Sequence, residues 1–260
     1  MNEIQAVVLA IIEGITEFLP ISSTGHMILT SSFMGIAKDD FTKLFTIVIQ
    51  LGAILSVVVL YWRRFLQSWD FYKKLFVAFL PAVFLGLLLN KVIDRLLESP
   101  LTVAITLILG GAVLLKIDDW YGQNTEQIID YKKALKIGFY QTLAMIPGVS
   151  RSGATIVGGM LQGLNRKVAT EFSFFLAVPT MLGATAKKIW DYYQEGLHLS
   201  NHQLNLLLIG NVVAFVVAMI AIKSFINYVS HKGFKVFGYY RILIGLVLLL
   251  IHFFIRPLSM

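Results

Sequence analysis

Two glutamates one helical turn apart stand out in a stretch that is otherwise hydrophobic. Glu13 and Glu17 follow an apolar run that predicts a helix over Ile4–Ile12, and their spacing puts both carboxylates on one face of its continuation. Adjacent carboxylates repel each other, so either one holds a proton or a cation lies between them. Because oxygen ligands suit a hard cation such as Mg²⁺ or Ca²⁺, we expect this pair to bind a divalent cation.

A run of hydroxyl residues follows the acidic pair. Pro20 is expected to end the first helix, because it lacks the amide donor and its ring clashes with the preceding turn. Ser22, Ser23 and Thr24 can then cap a second helix, and Ser22 or Thr24 could do nothing more than that. His26 falls in the first turn of this helix, where its imidazole can activate the Ser23 hydroxyl as a nucleophile. An imidazole can also attack phosphorus itself, so Ser23 and His26 are both candidate nucleophiles.

A second polar loop surrounds the one basic residue between Lys136 and Arg166. This residue, Arg151, follows a Pro-Gly break and is flanked by Ser150 and Ser152. A guanidinium can bind phosphate through two parallel hydrogen bonds, and a helix N-terminus attracts anions. The loop therefore predicts an anion site.

The composition predicts an integral membrane protein. Hydrophobic residues make up 57% of the chain and charged residues 14%, and the mean hydropathy is +0.75. We attribute the net charge of +7 to loop Lys and Arg that set topology, rather than to nucleic-acid binding. No cysteine is present, which excludes disulfides and thiolate metal sites, and the first residues lack the basic region of a cleaved signal peptide. Charges at membrane depth cost about 2.5 kcal/mol or more each, which favours a functional role for them.

Longer apolar runs predict six full membrane spans. They lie at about Phe45–Tyr61, Leu75–Leu89, Leu101–Leu115, Phe172–Lys187, Gln203–Ile222 and Val236–Ile255. A shorter hairpin broken by Pro or Gly precedes each group of three spans, at about residues 4–36 and 134–164. Residues 1–116 and 134–260 are therefore two repeats within one membrane domain, residues 1–260.

The two breaks also match each other in sequence, as Ser-Ser-Thr-Gly at residues 22–25 and Ser-Arg-Ser-Gly at residues 150–153. If each hairpin enters and leaves on one side, the three spans that follow invert the second half relative to the first. Non-helical backbone at membrane depth must be buried in protein or line a watery cavity. We therefore predict an all-α polytopic membrane protein with an inverted-topology repeat, two re-entrant helical hairpins that meet near the midplane, and six full transmembrane helices.

Basic residues orient this arrangement. One side of the predicted bundle collects fourteen of them, and the other side seven, with Arg151 left in the site. The larger group is Arg63, Arg64, Lys73, Lys74, Lys116, Lys132, Lys133, Lys136, Arg166, Lys167, Lys223, Lys232, Lys235 and Arg241. The smaller group is Lys38, Lys43, Lys91, Arg95, Lys187, Lys188 and Arg256. Because Lys and Arg accumulate on the cytoplasmic side, we expect the mouth of the first hairpin to face outward.

Taken together, three segments resemble the bacterial undecaprenyl-diphosphate phosphatases of the BacA type, the bacitracin resistance protein family. They are Glu13-x-x-x-Glu17, Pro20-x-Ser22-Ser23-Thr24-Gly25-His26 and Pro147-Gly148-Val149-Ser150-Arg151-Ser152-Gly153-Ala154-Thr155. The resemblance implies a bacterial inner-membrane enzyme that removes one phosphate from undecaprenyl diphosphate and so returns the lipid carrier to cell-wall synthesis. It also implies a divalent-metal requirement, a site on the outer, periplasmic side, and reduced susceptibility to bacitracin on overproduction.

The same resemblance implies roles for individual residues. Glu17, Ser23, His26 and Arg151 are the expected catalytic residues, and Glu13 is the expected second metal ligand beside Glu17. The set expected at the substrate phosphates is Ser22, Thr24, Ser150, Arg151, Ser152 and Thr155.

A transporter or flippase of a polyprenyl phosphate or another anion is the alternative function, because inverted repeats with broken helices are common in transporters. The acid, hydroxyl and imidazole groups favour an enzyme, since carriage of a diphosphate needs no nucleophile. The expected partners are a polyprenyl diphosphate lipid and membrane lipids, not nucleic acid, and a homodimer is one assembly that we consider.

Overall fold

A computed structural model describes residues 1–66, 68–89, 96, 99–196 and 199–255, and these residues are almost entirely helical. The helices are Glu3–Thr16 (α1), Ser23–Phe33 (α2), Asp40–Leu60 (α3), Trp62–Phe65 (α4), Trp69–Leu88 (α5), Pro100–Tyr121 (α6), Tyr131–Thr142 (α7), Arg151–Leu161 (α8), Arg166–Gln194 (α9), Asn201–Lys232 (α10) and Lys235–Leu250 (α11). A 3₁₀ turn at Leu143–Met145 and a π turn at Ile251–Ile255 complete them.

Six of these helices are long and apolar enough to cross a membrane, namely α3, α5, α6, α9, α10 and α11 with its π-helical continuation. Each coincides with one predicted span, so the prediction of an all-α polytopic membrane protein is confirmed. The short helices form two pairs, α1 with α2 and α7 with α8, each interrupted by a non-helical segment; we call these pairs the first and second hairpin.

The polar segment between the two halves forms part of the bundle. Helix α6 continues past Leu115 to Tyr121, because its backbone hydrogen bonds do not require apolar side chains. In the remaining loop, the Asn124 side chain donates to the Met160 carbonyl oxygen at 2.7 Å. Glu126 forms an isolated β-bridge with Leu164, three residues beyond the end of α8. The loop therefore packs against the second hairpin instead of extending away from the bundle.

Polar contacts mark one end of the bundle. There the Tyr131 hydroxyl, at the start of α7, donates to Asp70 at 2.5 Å. Arg166, at the start of α9, donates to Asp118 at 2.7 Å. The mouth of the second hairpin, formed by the start of α7 and the end of α8, lies at this end.

The mouth of the first hairpin lies at the other end. Glu3, at the start of α1, is 3.9 Å from His202, at the start of α10. Helix α10 has 32 residues, roughly 48 Å, and Phe234, just beyond its far end, donates its N–H to Asp118 at 2.5 Å. The two hairpin mouths are therefore separated by the length of α10.

One helix of each hairpin packs closely against a membrane-spanning helix. Helix α1 lies against α10, where a Cβ on Gly14 would come within 2.8 Å of the Val217 Cβ. Helix α7 lies against α5, where a Cβ on Gly138 would come within 2.3 Å of the Ala78 carbonyl oxygen. Because glycine allows the backbones to approach closely, one face of each broken helix is buried in protein, whereas residues such as Ile11 and Phe139 are exposed on the other face.

One assignment from the charge pattern is wrong. Arg241 was placed among the loop residues of the larger basic group, but it lies inside α11 and is 1% exposed. Its charge therefore does not indicate which side of the membrane it faces. Three members of the smaller group, Lys91, Arg95 and Arg256, lie outside the described residues.

Candidate active site

The acidic pair keeps its predicted spacing at the end of α1. Regular helix stops at Thr16, four residues before Pro20, which has no N–H to donate to the Thr16 carbonyl oxygen. Glu17 is the C-cap with helical backbone angles, and its N–H donates to the Glu13 carbonyl oxygen at 2.9 Å. The two carboxylates therefore remain one turn apart.

The two breaks share a local structure. Ser22 and Ser150 are the N-cap residues of α2 and α8, and both have positive φ angles, 71° and 73°. The Ser22 hydroxyl accepts from the Gly25 N–H at 3.4 Å, and the Ser150 hydroxyl accepts from the Gly153 N–H at 3.1 Å. A positive φ is uncommon in residues other than glycine, and such strain tends to occur at functional sites. The same strained cap thus begins the second helix of each hairpin.

Glu17 joins the two breaks. One carboxylate oxygen accepts from the Ser23 hydroxyl at 2.6 Å, and the other accepts from Arg151 Nη2 at 2.9 Å. Ser23 is the first residue of α2, and Arg151 is the first residue of α8. The N-termini of both helices therefore lie beside one buried carboxylate. One hydrogen-bonded chain joins Ser23, Glu17 and Arg151, although they are 6 to 134 positions apart in sequence.

Glu13 is buried beside this chain without a hydrogen-bond partner. Its side chain is 0% exposed, and neither carboxylate oxygen accepts a hydrogen bond within the part of the chain that the structure describes. Glu17 and Arg151 are both close enough to act on it electrostatically. A buried acceptor that is left unsatisfied costs free energy, so this carboxyl group fits a bound cation or a proton.

Arg151 is held from three sides. Its Nη1 donates to the Ser173 carbonyl oxygen at 2.9 Å, and its guanidinium carbon lies 5.6 Å from the centre of the Phe18 ring. Nη2 also lies 3.7 Å from the sulfur of Met181. Nε is buried and has no partner among the described residues. The guanidinium is thus fixed in place with its buried Nε still available as a donor.

The hydroxyls around Arg151 are occupied by internal hydrogen bonds. Ser152 is fully buried and donates to the Leu19 carbonyl oxygen at 2.8 Å, and its hydroxyl lies 3.0 Å from that of Ser150. Thr155 bonds to the hydroxyl of Ser173 at 2.6 Å. These three predicted phosphate ligands, Ser150, Ser152 and Thr155, therefore hold the second break against the first and against α9. Of the predicted set outside this loop, Ser22 is buried as a cap, whereas Thr24 is half-buried in the first turn of α2.

His26 lies near the site but is not hydrogen-bonded to Ser23 within the described residues. Its Nδ1 is 2.8 Å from the Ser22 carbonyl oxygen, and its Nε2 is 2.7 Å from the Tyr240 hydroxyl. The spacing of Ser23 and His26 allows contact, but the Ser23 hydroxyl is directed to Glu17 instead.

Arg241 connects both breaks to the rest of the bundle. All five of its N–H groups are used on backbone carbonyl oxygens. The acceptors are Pro20 at 3.0 Å, Gly148 at 2.9 Å, Val149 at 3.0 Å, Thr106 at 3.1 Å and Leu107 at 3.3 Å. The first three belong to the two breaks and the last two to α6. Carbonyl groups freed by broken helices thus receive charge-assisted hydrogen bonds from one residue.

Sequence reasoning missed Arg241, Tyr240 and Ser173. Arg241 lies inside the predicted span Val236–Ile255, where any charge is costly, and this position could have identified it. Tyr240 and Ser173 carried no comparable signal, because Tyr is common at span ends and Ser is tolerated within spans.

Comparisons with known proteins find relatives along the whole chain. A family model described as "Bacitracin resistance protein BacA" matches residues 6–247. A protein named undecaprenyl-diphosphatase from Flavobacterium psychrophilum is 69% identical over 260 residues, which cover all of both chains. One of the same name from Bdellovibrio bacteriovorus is 53% identical over 266 residues, again covering both chains completely. Another from Aquifex aeolicus is 49% identical over 252 residues, which cover 95% of this chain and 97% of the relative.

We predict that Arg241→Gln strongly destabilises the protein. The amide cannot replace five donors, and each buried acceptor left without a partner costs about 1–3 kcal/mol. We expect the free energy of unfolding to fall by at least about 3 kcal/mol, seen as a lower melting temperature in detergent. The matched control is Arg63→Gln, at an exposed arginine 5.4 Å from the Trp62 ring centre. Equal melting temperatures for the two variants would contradict the prediction.

Proposed function

We infer that this chain, which belongs to the BacA family, hydrolyses undecaprenyl diphosphate to undecaprenyl phosphate and inorganic phosphate. The function rests on the names of its full-length relatives. The observation that supports it within the chain is the hydrogen-bonded series Ser23–Glu17–Arg151, which brings an acid, a hydroxyl and a guanidinium together between two helix N-termini. An enzyme of this kind recycles the lipid carrier of cell-wall synthesis.

Ser23 is the nucleophile in this proposal, and Glu17 accepts its proton. A serine hydroxyl needs a base, and the group in place to act is the Glu17 oxygen 2.6 Å away. The Ser23 oxygen attacks the terminal phosphorus, undecaprenyl phosphate leaves, and water then releases phosphate from the serine. His26 as the nucleophile remains the alternative, which the second experiment below separates.

Arg151 binds the phosphate oxygens. Its Nε is a buried donor without a partner among the residues that are described, so a phosphate oxygen would satisfy it. The N-termini of α2 and α8 add favourable dipoles at the same place. We propose that Ser150, Ser152 and Thr155 act by holding this loop in shape, since their hydroxyls are already engaged.

A divalent cation, Mg²⁺ or Ca²⁺, fits the acidic pair. The two unpartnered oxygens of Glu13 and the nearby carboxylate of Glu17 form an all-oxygen donor set, which a hard cation prefers. When bound, the cation would supply positive charge that offsets the charge of the diphosphate. Glu13 then acts as a ligand, and Glu17 acts as a ligand as well as a hydrogen-bond acceptor.

We further propose that both hairpins are re-entrant and related by an inverted repeat. The matching strained caps at Ser22 and Ser150, and hairpin mouths at opposite ends of α10, support this arrangement. The basic residues then place the mouth of the first hairpin and the site on the outer, periplasmic side of the bacterial inner membrane. A homodimer stays a prediction, to be tested by the molecular mass of the protein in detergent.

Purified protein in detergent should release inorganic phosphate from undecaprenyl diphosphate. We expect a chelator of divalent cations to abolish the release, and added Mg²⁺ or Ca²⁺ to restore it, because the acidic pair requires a cation to bind a diphosphate beside it. The measurement is phosphate released per mole of protein, with a mock purification from cells that do not express the chain to report contaminating phosphatases. Phosphate release that persists after chelation would show that the reaction does not need the cation. No phosphate release under any condition would favour a transporter.

The roles of the three candidate groups can be separated by kinetics. Glu17→Gln should lower kcat by about 10²–10⁴-fold, because an amide cannot accept the Ser23 proton. Ser23→Ala should abolish turnover, whereas His26→Gln should keep a slow reaction. Glu171→Gln, a half-buried glutamate on α9 that lies outside the site, is the control and should retain activity. An acid-labile phosphohistidine trapped during turnover would instead identify His26 as the nucleophile.

Membrane topology can be tested in this naturally cysteine-free chain. Lys38 and Lys167 are exposed residues near the mouths of the first and second hairpins. We expect Lys38→Cys to react with a membrane-impermeant maleimide in cells with a permeabilised outer envelope, and Lys167→Cys to react only after the inner membrane is opened. Reaction of both from the same side would exclude the inverted repeat.

A further inference from the structure

Both ring nitrogens of His26 have hydrogen-bond partners. The Ser22 carbonyl oxygen, 2.8 Å from Nδ1, can only accept, so Nδ1 carries a hydrogen. In a neutral imidazole Nε2 is then an acceptor, and the Tyr240 hydroxyl, 2.7 Å away, donates to it. The Ser22 carbonyl oxygen therefore selects one tautomer of His26, and the Tyr240 hydroxyl can donate to the nitrogen that this tautomer leaves unprotonated.

Tyr240 also fixes the plane of the imidazole. The two rings are parallel within 3°, with centroids 5.6 Å apart. Tyr240 itself is positioned by the next residue of α11, Arg241, which bonds to the Pro20 carbonyl oxygen just before the Ser22 cap. Helix α11 therefore holds both the first break and the histidine that follows it.

The contact between Tyr240 and His26 Nε2 matters because Nδ1, the other ring nitrogen, is not available to a substrate. Nδ1 is committed to the backbone, so any proton transfer or attack by His26 must use the Nε2 lone pair. The group bonded to Nε2 therefore decides where that lone pair points.

We propose that Tyr240 is a positioning residue for His26, which holds its ring orientation through the hydroxyl on Nε2. The kinetic part of this inference rests on the proposed hydrolysis of undecaprenyl diphosphate, with His26 Nε2 accepting a proton from the water that releases phosphate from Ser23. The contact itself rests on neither. Tyr240 acts only through His26, and it touches neither Ser23 nor Glu17 through any hydrogen bond of the described residues.

The test compares Tyr240→Phe with Tyr239→Phe. The first variant removes the hydroxyl and keeps the ring, and the second removes a hydroxyl from the neighbouring tyrosine, which is 65% exposed. We expect Tyr240→Phe to lower kcat about tenfold with KM unchanged, as for the loss of one orienting hydrogen bond. Tyr239→Phe should behave as the unchanged protein.

A second readout does not need turnover. Diethyl pyrocarbonate acylates an unprotonated imidazole nitrogen, so it should modify His26 several-fold faster in Tyr240→Phe, where the Nε2 lone pair is uncovered. Modification of His202 and His231, located by mass spectrometry in the same digest, should not change. This labelling tests the contact even if the protein releases no phosphate, an outcome that would count against the hydrolase alone.

The labelling rate of His26 and the kcat of the two variants together decide whether Tyr240 positions His26. Faster labelling of His26 together with a fall in kcat confined to Tyr240→Phe would support the positioning role. Unchanged labelling would show that Tyr240 does not cover Nε2 and would overturn the inference. Faster labelling with normal kcat, or an equal loss of kcat in Tyr239→Phe, would overturn it as well, since the contact would then position nothing that the reaction uses.

Discussion

A helix that breaks inside a membrane protein frees carbonyl groups that lipid cannot bind, and this structure meets that constraint with one arginine. Arg241 donates to the Pro20 carbonyl oxygen of the first break and to those of Gly148 and Val149 in the second. A buried cation is costly unless its donors are satisfied, and here all five are. The breaks can therefore exist side by side, and every other feature of the site depends on their being adjacent.

Arg241 and Arg151 differ in how many of their donors have partners. Arg241 has a carbonyl oxygen for each N–H, as expected of a group that holds structure together. Arg151 keeps one buried donor without a partner, and Glu13 keeps two such acceptors, among the residues that the structure describes. Native proteins leave few buried polar groups unpaired, so these groups beside Glu17 are where we propose that ligands bind. A phosphate oxygen could accept a hydrogen bond from the Arg151 donor, and a cation could be bound by the Glu13 oxygens.

The sequence predicted what depends on local pattern, and not what depends on distant partners. Apolar runs gave the six spans, and Pro20 gave the first break to within a few residues. The contact of Ser23 with Glu17 instead of His26 was not predictable, because several rotamers are open to a serine and the chosen one depends on neighbours. The partner of His26 lies 214 positions away in sequence, beyond the reach of any spacing argument.

Hydrogen bonds from Arg241 end on the main chain, which has a consequence for sequence variation. Every residue type offers the same carbonyl oxygen, so the side chains at positions 148 and 149 are not read by the guanidinium. Substitutions at Gly148 are limited instead by its φ of 87° and by α6, because a Cβ there would clash with the Thr106 hydroxyl and the Val103 carbonyl oxygen. The recognising side chain has no such freedom, since no other residue carries five donors. The hydrogen bonds themselves therefore restrict the residue type at position 241, but not at the positions that supply the carbonyl oxygens.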